Sequence, residues 1–443
     1  MIHPIEYRYG TKEMKRIWSE ESKIKRMIRV EIALLKALAK KGFLSEEEVE
    51  RVRRRALKVR VERVKEIEAE IRHDVMALVK AIDEVAECNW IHFGATSNDI
   101  IDTATATQLR DSVLILEEKI KRLGRLLAQR ALEFRDIVCL GRTHGQAALP
   151  TTYGFRFAIW ASEVARHYVR LQQIKERLLV GKMSGAVGTQ AAFGKLGFEI
   201  ENEVMRLLNL KPAIISSQII PRDIYCEYIE FLANLATTLE KIALNFRILQ
   251  RAEVGELMEK FEEKQVGSST MPHKRNPIDS ENICGLARVI RGFVEPQHQS
   301  AILWEERDLT NSSAERITLV ETTILADHIL TKMIDVVSKL TIDREGVARN
   351  LEAQRGLNMS EAVMIALTKK GVNRQIAHEL LRRVSLRAYV NKTSLYEELL
   401  KEEIVMNYFT KEELLELLKP ENYLGTAKER VEKVVEWVQS VLK

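Results

Sequence analysis

Two apolar seams constrain this chain more than any other feature. Leu109, Val113, Leu116, Ile120, Leu123 and Leu127 follow steps of four and three residues, and Ile229, Leu232, Leu235, Leu239, Ile242, Phe246 and Leu249 follow a similar rhythm. A strand would bring every second residue to one face, whereas a helix brings every third or fourth. Both runs therefore read as the packing seams of long helices. A helix over 229–252 would be about 36 Å long at roughly 1.5 Å per residue. The stretches 101–134, 155–178, 283–305 and 317–340 read as helix too, so five long segments between about 100 and 340 predict an elongated bundle.

The flanks differ. Residues 1–95 suggest shorter helices, one starting at the capping-box pattern Ser45…Glu48, and shorter helices return after about 345, with similar starts at Ser394…Glu397 and Thr410…Glu413. No convincing run of alternating strand residues appears. The expectation is an all-α protein in three parts: 1–96, a central bundle over 97–345, and 346–443.

Composition removes several function classes. The chain has 443 residues, ample for a large core, with 46% hydrophobic and 30% charged residues but only 20 Gly and 8 Pro. Its 69 basic and 64 acidic residues are interspersed, notably over 45–72, which argues against the single-sign stripe of a nucleic-acid binder. Such Lys, Arg and Glu usage is compatible with a thermophilic source. Cys88, Cys139, Cys226 and Cys284 are widely spaced, so reduced thiols are expected rather than disulfides or a zinc site. No signal-like h-region and no membrane-length apolar run is evident, so a cytoplasmic protein is expected. The glycines at 185–197 lack Walker spacing, no strand–GxGxxG–helix unit is present, and neither HExxH nor GxSxG occurs.

What remains is a set of polar loops. GSSTMPHKRNP at 267–277 places Ser268, Ser269, Lys274 and Asn276 between the backbone stops Gly267, Pro272 and Pro277, a density of donors suited to a small anion. Arg72-His73-Asp74 reads as part of a helical stretch. Thr96 and Ser97 stand just before the 101–134 helix, where they suit either an N-cap or a bound carboxylate. His144, in the polar turn 141–146, is a candidate proton donor, although a lone His is more often structural. Arg307, Ser312, Ser313 and Arg316 form a phosphate-like set whose alternative is a salt-bridged helix start. Together the clusters describe a ligand with several negative charges. They suit proton abstraction beside a carboxylate, with acid help to a leaving group.

These residues resemble a known family. GSSxMPxKxNP is the signature loop of the fumarase/aspartase superfamily, and MPHKRNP followed by Ser280-Glu-Asn282 is most similar to its adenylosuccinate lyase branch. RHDVMA at 72–77, HFGATSND at 92–99, GRTHGQ at 141–146, SGAVGT at 184–189, ERDLTNSSAERI at 306–317 and PENYLG at 420–425 extend the likeness over essentially the whole chain. Asn311, where many relatives carry His, and Asp279, often Gly elsewhere, depart from the pattern.

The resemblance implies an all-α homotetramer with active sites shared between subunits. It also implies elimination of fumarate from adenylosuccinate and SAICAR, with no metal or organic cofactor. Carried over residue by residue, Ser268 would be the base and Lys274 and Asn276 would stabilise the carbanion. His144 would protonate the leaving nitrogen, with His73 as its rival. Thr96, Ser97, Ser269 and Gln218 would hold carboxylates or the base. Arg8, Tyr9, Arg307, Ser313 and Arg316 would hold phosphate and ribose. Arg72, Asp74, Arg275 and Asn282 complete the substrate-binding set, and 260–280 would close as a lid. The alternatives are a sister lyase acting on argininosuccinate or a carboxymuconate, a non-catalytic structural homotetramer, and a nucleic-acid-binding helical protein.

Overall fold

The structure is a computed structural model that describes residues 2–262 and 264–443. Within the expected lid, Glu263 lies outside the described residues. The five long segments are helices: α1 is Ser97–Glu133, α2 Tyr153–Leu178, α3 Asp223–Gln250, α4 Ile278–Gly292 and α5 Thr310–Lys339. Both seams are core. Leu109 to Leu127 on α1 and Ile229 to Phe246 on α3 are fully buried at every seam position, and Leu249 is nearly so.

Two of the helices differ from expectation. The stretch 283–305 is broken: α4 ends at Gly292, and only the short helix Val294–Gln299 follows. Pro296 explains this, because it has no N–H to give to the carbonyl of Gly292. Helix α5 begins at Thr310 rather than 317, so Ser312, Ser313 and Arg316 lie in its first two turns.

Chain contacts define two compact units, each taking part of all five long helices. The first comprises residues up to Lys119, His167–Leu239 and Gly285–Thr331; the second comprises Ile120–Arg166, Glu240–Cys284 and Lys332–Lys443. In the first, helix Glu20–Lys40 packs Leu34, Leu35 and Leu38 into a core with Val52, Val64 and Leu78 from the three following helices. In the second, Phe134, Phe157, Trp160 and Phe246 form an edge-to-face and stacked aromatic cluster. A separate core there gathers Leu367, Leu380, Leu381, Leu395, Leu399 and Leu414. Complete capping boxes close at Ser394/Glu397 and Thr410/Glu413, while Ser45 caps its helix by accepting the Glu48 N–H. All four cysteines are free and buried, and burial pushes the Cys139 thiol up to about 11. Among the described residues, no helix is long and apolar enough to cross a membrane.

One strand pair qualifies the all-helical expectation. β1, Val138–Thr143, and β2, Gln146–Thr152, form an antiparallel hairpin. Sequence pattern missed it because a bulge between Leu140 and Arg142 and the presence of Pro150 leave no clean alternation. Two further pairs are only two residues per strand.

Candidate active site

The first unit collects most of the candidate binding groups. Arg72-His73-Asp74, expected within a helical stretch, instead forms the junction between two helices. Arg72 ends Val61–Ile71 in a left-handed conformation, φ 54, and His73 caps Asp74–Ala86 by accepting the Met76 N–H on Nδ1 at 3.2 Å. The cap assigns the neutral ring's proton to Nε2, which leaves that atom as a donor on an exposed side chain. The carboxylate of Asp74 accepts from Arg316 Nη2 at 3.3 Å.

Thr96 and Ser97 do stand at the head of α1, but the capping carboxylate there is Asp99, which accepts the Thr96 N–H at 2.8 Å. Asp99 is fully buried and also accepts from Lys182 Nζ at 2.5 Å, Ser184 N–H at 2.8 Å and Gly185 N–H at 3.0 Å. One carboxylate thus fastens the SGAVGT segment to the helix start. Ser184 Oγ then lies 2.8 Å from Ser216 Oγ. Two residues on, Gln218 Oε1 accepts from Arg307 Nη1 at 3.1 Å, and Arg307 Nη2 donates to Ser312 Oγ at 2.7 Å. Burial holds the Arg307 guanidinium below its ordinary pKa. Ser313 points to the exposed side, as does Arg316. Beneath them Arg222 forms a fork with Asp102 at 2.8 and 2.9 Å and reaches Glu315 at 2.9 Å. Arg8 is exposed, and the Tyr9 ring lies edge-on to His328 at 5.5 Å.

This unit also holds a cavity of about 440 Å³, lined by Asp74, Ser312 and Arg316 together with Lys23, Gln108 and the apolar Trp18 and Met27. Burial, then the charge of Arg316, lowers the pKa of Lys23. Sequence reasoning did not single out Lys23, Asp99, Asp102, Lys182 or Arg222. Asp99 and Asp102 carried one usable signal, acids three apart among the apolar positions of a long helix, but no sequence rule names their distant partners.

In the second unit His144 sits at the hairpin tip. Thr143 pairs with Gln146, leaving His144 (φ 52) and Gly145 (φ 73) as a two-residue turn with both φ positive. His144 is exposed and makes no hydrogen bond among the described residues. At the bulge, a Cβ on Gly141 would lie 2.4 Å from the Leu149 carbonyl oxygen, so glycine is required there. The next residue, Arg142, donates to the buried Glu256 carboxylate at 2.6 Å.

The 267–277 loop is mostly exposed and bonded chiefly to itself. Ser268 Oγ accepts the N–H groups of Thr270 at 3.2 Å and Met271 at 3.0 Å, and Asn276 Nδ2 donates to the Gly267 carbonyl at 2.7 Å. Ser269, Lys274 and Arg275 are exposed, and the Arg275 guanidinium stands 5.5 Å over the Phe261 ring. At the base, Glu259 accepts from the N–H groups of Asp279 and Ser280, heading α4, and Gln250 bridges the Glu259 N–H and the Arg275 carbonyl. Asn282 is half-buried, with Oδ1 unpartnered. Of the two departures from the superfamily pattern, Asn311 is buried against Glu315 and Asp279 pairs with Lys332.

A helical fold carrying this loop defines a lyase of the fumarase/aspartase superfamily, and the comparisons agree. The family model "Lyase" matches residues 6–292, and "Adenylosuccinate lyase C-terminus" matches 356–434. The chain is 78% identical to adenylosuccinate lyase of Archaeoglobus fulgidus over 100% of both chains. It is 52% identical to that of Pyrococcus abyssi, over 99% of this chain and 98% of the relative. Among solved structures, it is similar to a fumarate lyase from Mesorhizobium sp. BNC1 (TM-score 0.89, 31% identity, 96% of this chain and 98% of that one). It is also similar to the 3-carboxy-cis,cis-muconate lactonizing enzyme of Pseudomonas putida (TM-score 0.91, 29% identity, 99% of each). The chain belongs to the adenylosuccinate lyase family.

Proposed function

We propose that the protein cleaves adenylosuccinate to AMP and fumarate, and SAICAR to AICAR and fumarate, by β-elimination with Ser268 as base. The observation that carries this reading is the pair of backbone N–H groups already aimed at Ser268 Oγ. A serine hydroxyl is a poor base at neutral pH. Donors fixed on its oxygen favour the alkoxide, as hydrogen bonds to a charged form always do.

In the reaction, the alkoxide takes the succinyl Cβ proton and the electron pair spreads into the adjoining carboxylate. Lys274 and the second N–H of Asn276 stabilise that developing charge more than they stabilise bound substrate, which is what lowers a barrier. The C–N bond then breaks, and the expelled nitrogen takes a proton from His144 or, in the rival assignment, from His73. Arg307, Ser313, Arg316, Arg8 and Tyr9 hold the phosphate and ribose; the Arg307–Ser312 contact adds Ser312 to that set. Thr96, Ser97, Gln218 and Ser269 hold the carboxylates. The enzyme acts as a cytoplasmic homotetramer whose active sites are shared between subunits.

The test is an ultraviolet assay of adenylosuccinate and argininosuccinate breakdown by wild type, Ser268→Ala and His144→Ala. Adenylosuccinate alone should be consumed, and each variant should lose about 10²–10⁴ in kcat, the range for losing a general acid or base, with helical content and assembly intact. Turnover by Ser268→Ala within a few-fold of wild type would remove the mechanism.

A further inference from the structure

We propose that Glu256 is a positioning residue for proton transfer at His144, acting through Arg142 on the hairpin that carries the imidazole. This rests on the reading of His144 as the acid.

A two-stranded ribbon is marginally stable by itself. Here the β1–β2 register is broken by the bulge between Leu140 and Arg142, and Thr143 to Ala147 beyond it are exposed. Among the described residues, Arg142 is the one side chain of 142–147 that hydrogen-bonds outside the hairpin. It stands two positions from His144, and its partner is a fixed post. Glu256 is completely buried, its N–H donates to the Leu249 carbonyl and its carbonyl accepts from Asp343, both at 3.0 Å. Its carboxylate accepts from Arg142 Nη2 at 2.6 Å, Tyr153 OH at 2.5 Å and Asn350 Nδ2 at 2.7 Å, with Arg156 Nη1 at 3.7 Å. Burial alone would raise the carboxyl's pKa, but the bonds from Arg142, Tyr153 and Asn350 hold it below the ordinary value, so the anchor stays ionised. Tyr153 and Arg156 begin α2, directly after β2, and Asn350 belongs to helix Arg344–Glu352, so the post is braced by groups from two helices outside the hairpin.

The experiment compares Glu256→Gln, Arg142→Met, the double variant and His144→Ala in the full-length enzyme. Glu398→Gln is the control, another buried carboxylate held by Arg387 and Lys401 far along the chain. A misplaced catalytic group costs about tenfold to hundredfold in rate. Glu256→Gln and Arg142→Met should each show that loss in kcat, with KM within about threefold and the double variant no worse than the poorer single. Glu398→Gln should lower Tm yet keep kcat within about twofold, which separates positioning from general destabilisation. If Glu256→Gln fails to fold, Arg142→Met, which touches the pair from its half-exposed side, carries the test. Normal kcat in Glu256→Gln or Arg142→Met beside an inactive His144→Ala overturns the inference alone, as does an equal kcat loss in Glu398→Gln. An active His144→Ala overturns the acid assignment and the inference with it.

Discussion

In the first unit, Asp99, Lys182, Asp102 and Arg222 are each at most 5% exposed, and every one of their charges is paired. In the second, residues 269–275 are exposed, and the loop's hydrogen bonds run largely to its own backbone. The candidate binding groups therefore rest on a buried ionic framework, while the candidate base rides on a segment secured at its base by Glu259 and Gln250. A preorganised framework spends less of the binding energy on ordering the site. A loop bonded chiefly to itself can change place without breaking a core, as a lid must.

The contrast is broken most forcefully at Lys182. Replacing it with Met leaves the Asp99 carboxylate buried without its cation, a change that costs about 3–5 kcal/mol in comparable pairs. A clear fall in Tm is expected, whereas Lys274→Met in the exposed loop should shift stability by no more than about 0.5 kcal/mol while lowering kcat. Calorimetry with parallel assays checks both. Equal stability losses would mean that the loop is as structural as the framework.

Arg307 sharpens the same contrast at smaller scale. Its guanidinium is held by Gln218 and Ser312 before substrate arrives. Removing one charged hydrogen-bond partner of a phosphate costs about 1.5–3 kcal/mol. Arg307→Ala should accordingly raise KM for adenylosuccinate about tenfold to hundredfold, with kcat changed only a few-fold. A loss confined to kcat would place Arg307 with the reacting atoms instead.

The fold was legible where physics is local. The α1 and α3 seams declared helices because burial repeats with helical period, and Ser394 and Thr410 declared helix starts because capping is settled within four residues. The β1–β2 hairpin was not legible: its turn depends on positive φ at His144, its strands on a bulge at Gly141, and neither leaves an alternating pattern. The polar motifs were visible as segments, but their supports were not. Asp99 meets Lys182 across 83 positions, and Glu256 meets Arg142 across 114. Such pairs form only after the chain has folded, so a lone buried acid in a sequence has no readable partner.

A pH series tests the framework most gently. His92, just before Thr96, places Nδ1 2.7 Å from Glu31 Oε1, and its N–H donates to Oε2 at 3.0 Å. Burial works against the imidazolium, but the bond to Glu31 outweighs it, so the folded pKa lies above 6.5. A raised pKa means that the folded state holds the proton more tightly than the unfolded one. The stabilisation is then fully present below the unfolded value, near 6.5, and fades as pH rises through the folded value. His92→Asn loses this linkage. At fixed protein concentration its Tm should fall furthest below wild type under pH 6.5, by roughly 1–3 °C for an effect of about 1 kcal/mol, and the gap should narrow at higher pH. Hydrogen exchange, corrected for its intrinsic pH dependence, localises the effect. Protection over 92–99 should weaken above pH 6.5 in wild type only, while 267–277 should be poorly protected throughout. A pH-dependent gap that instead tracks the loop would show that the exposed segment, not the buried framework, carries the titration.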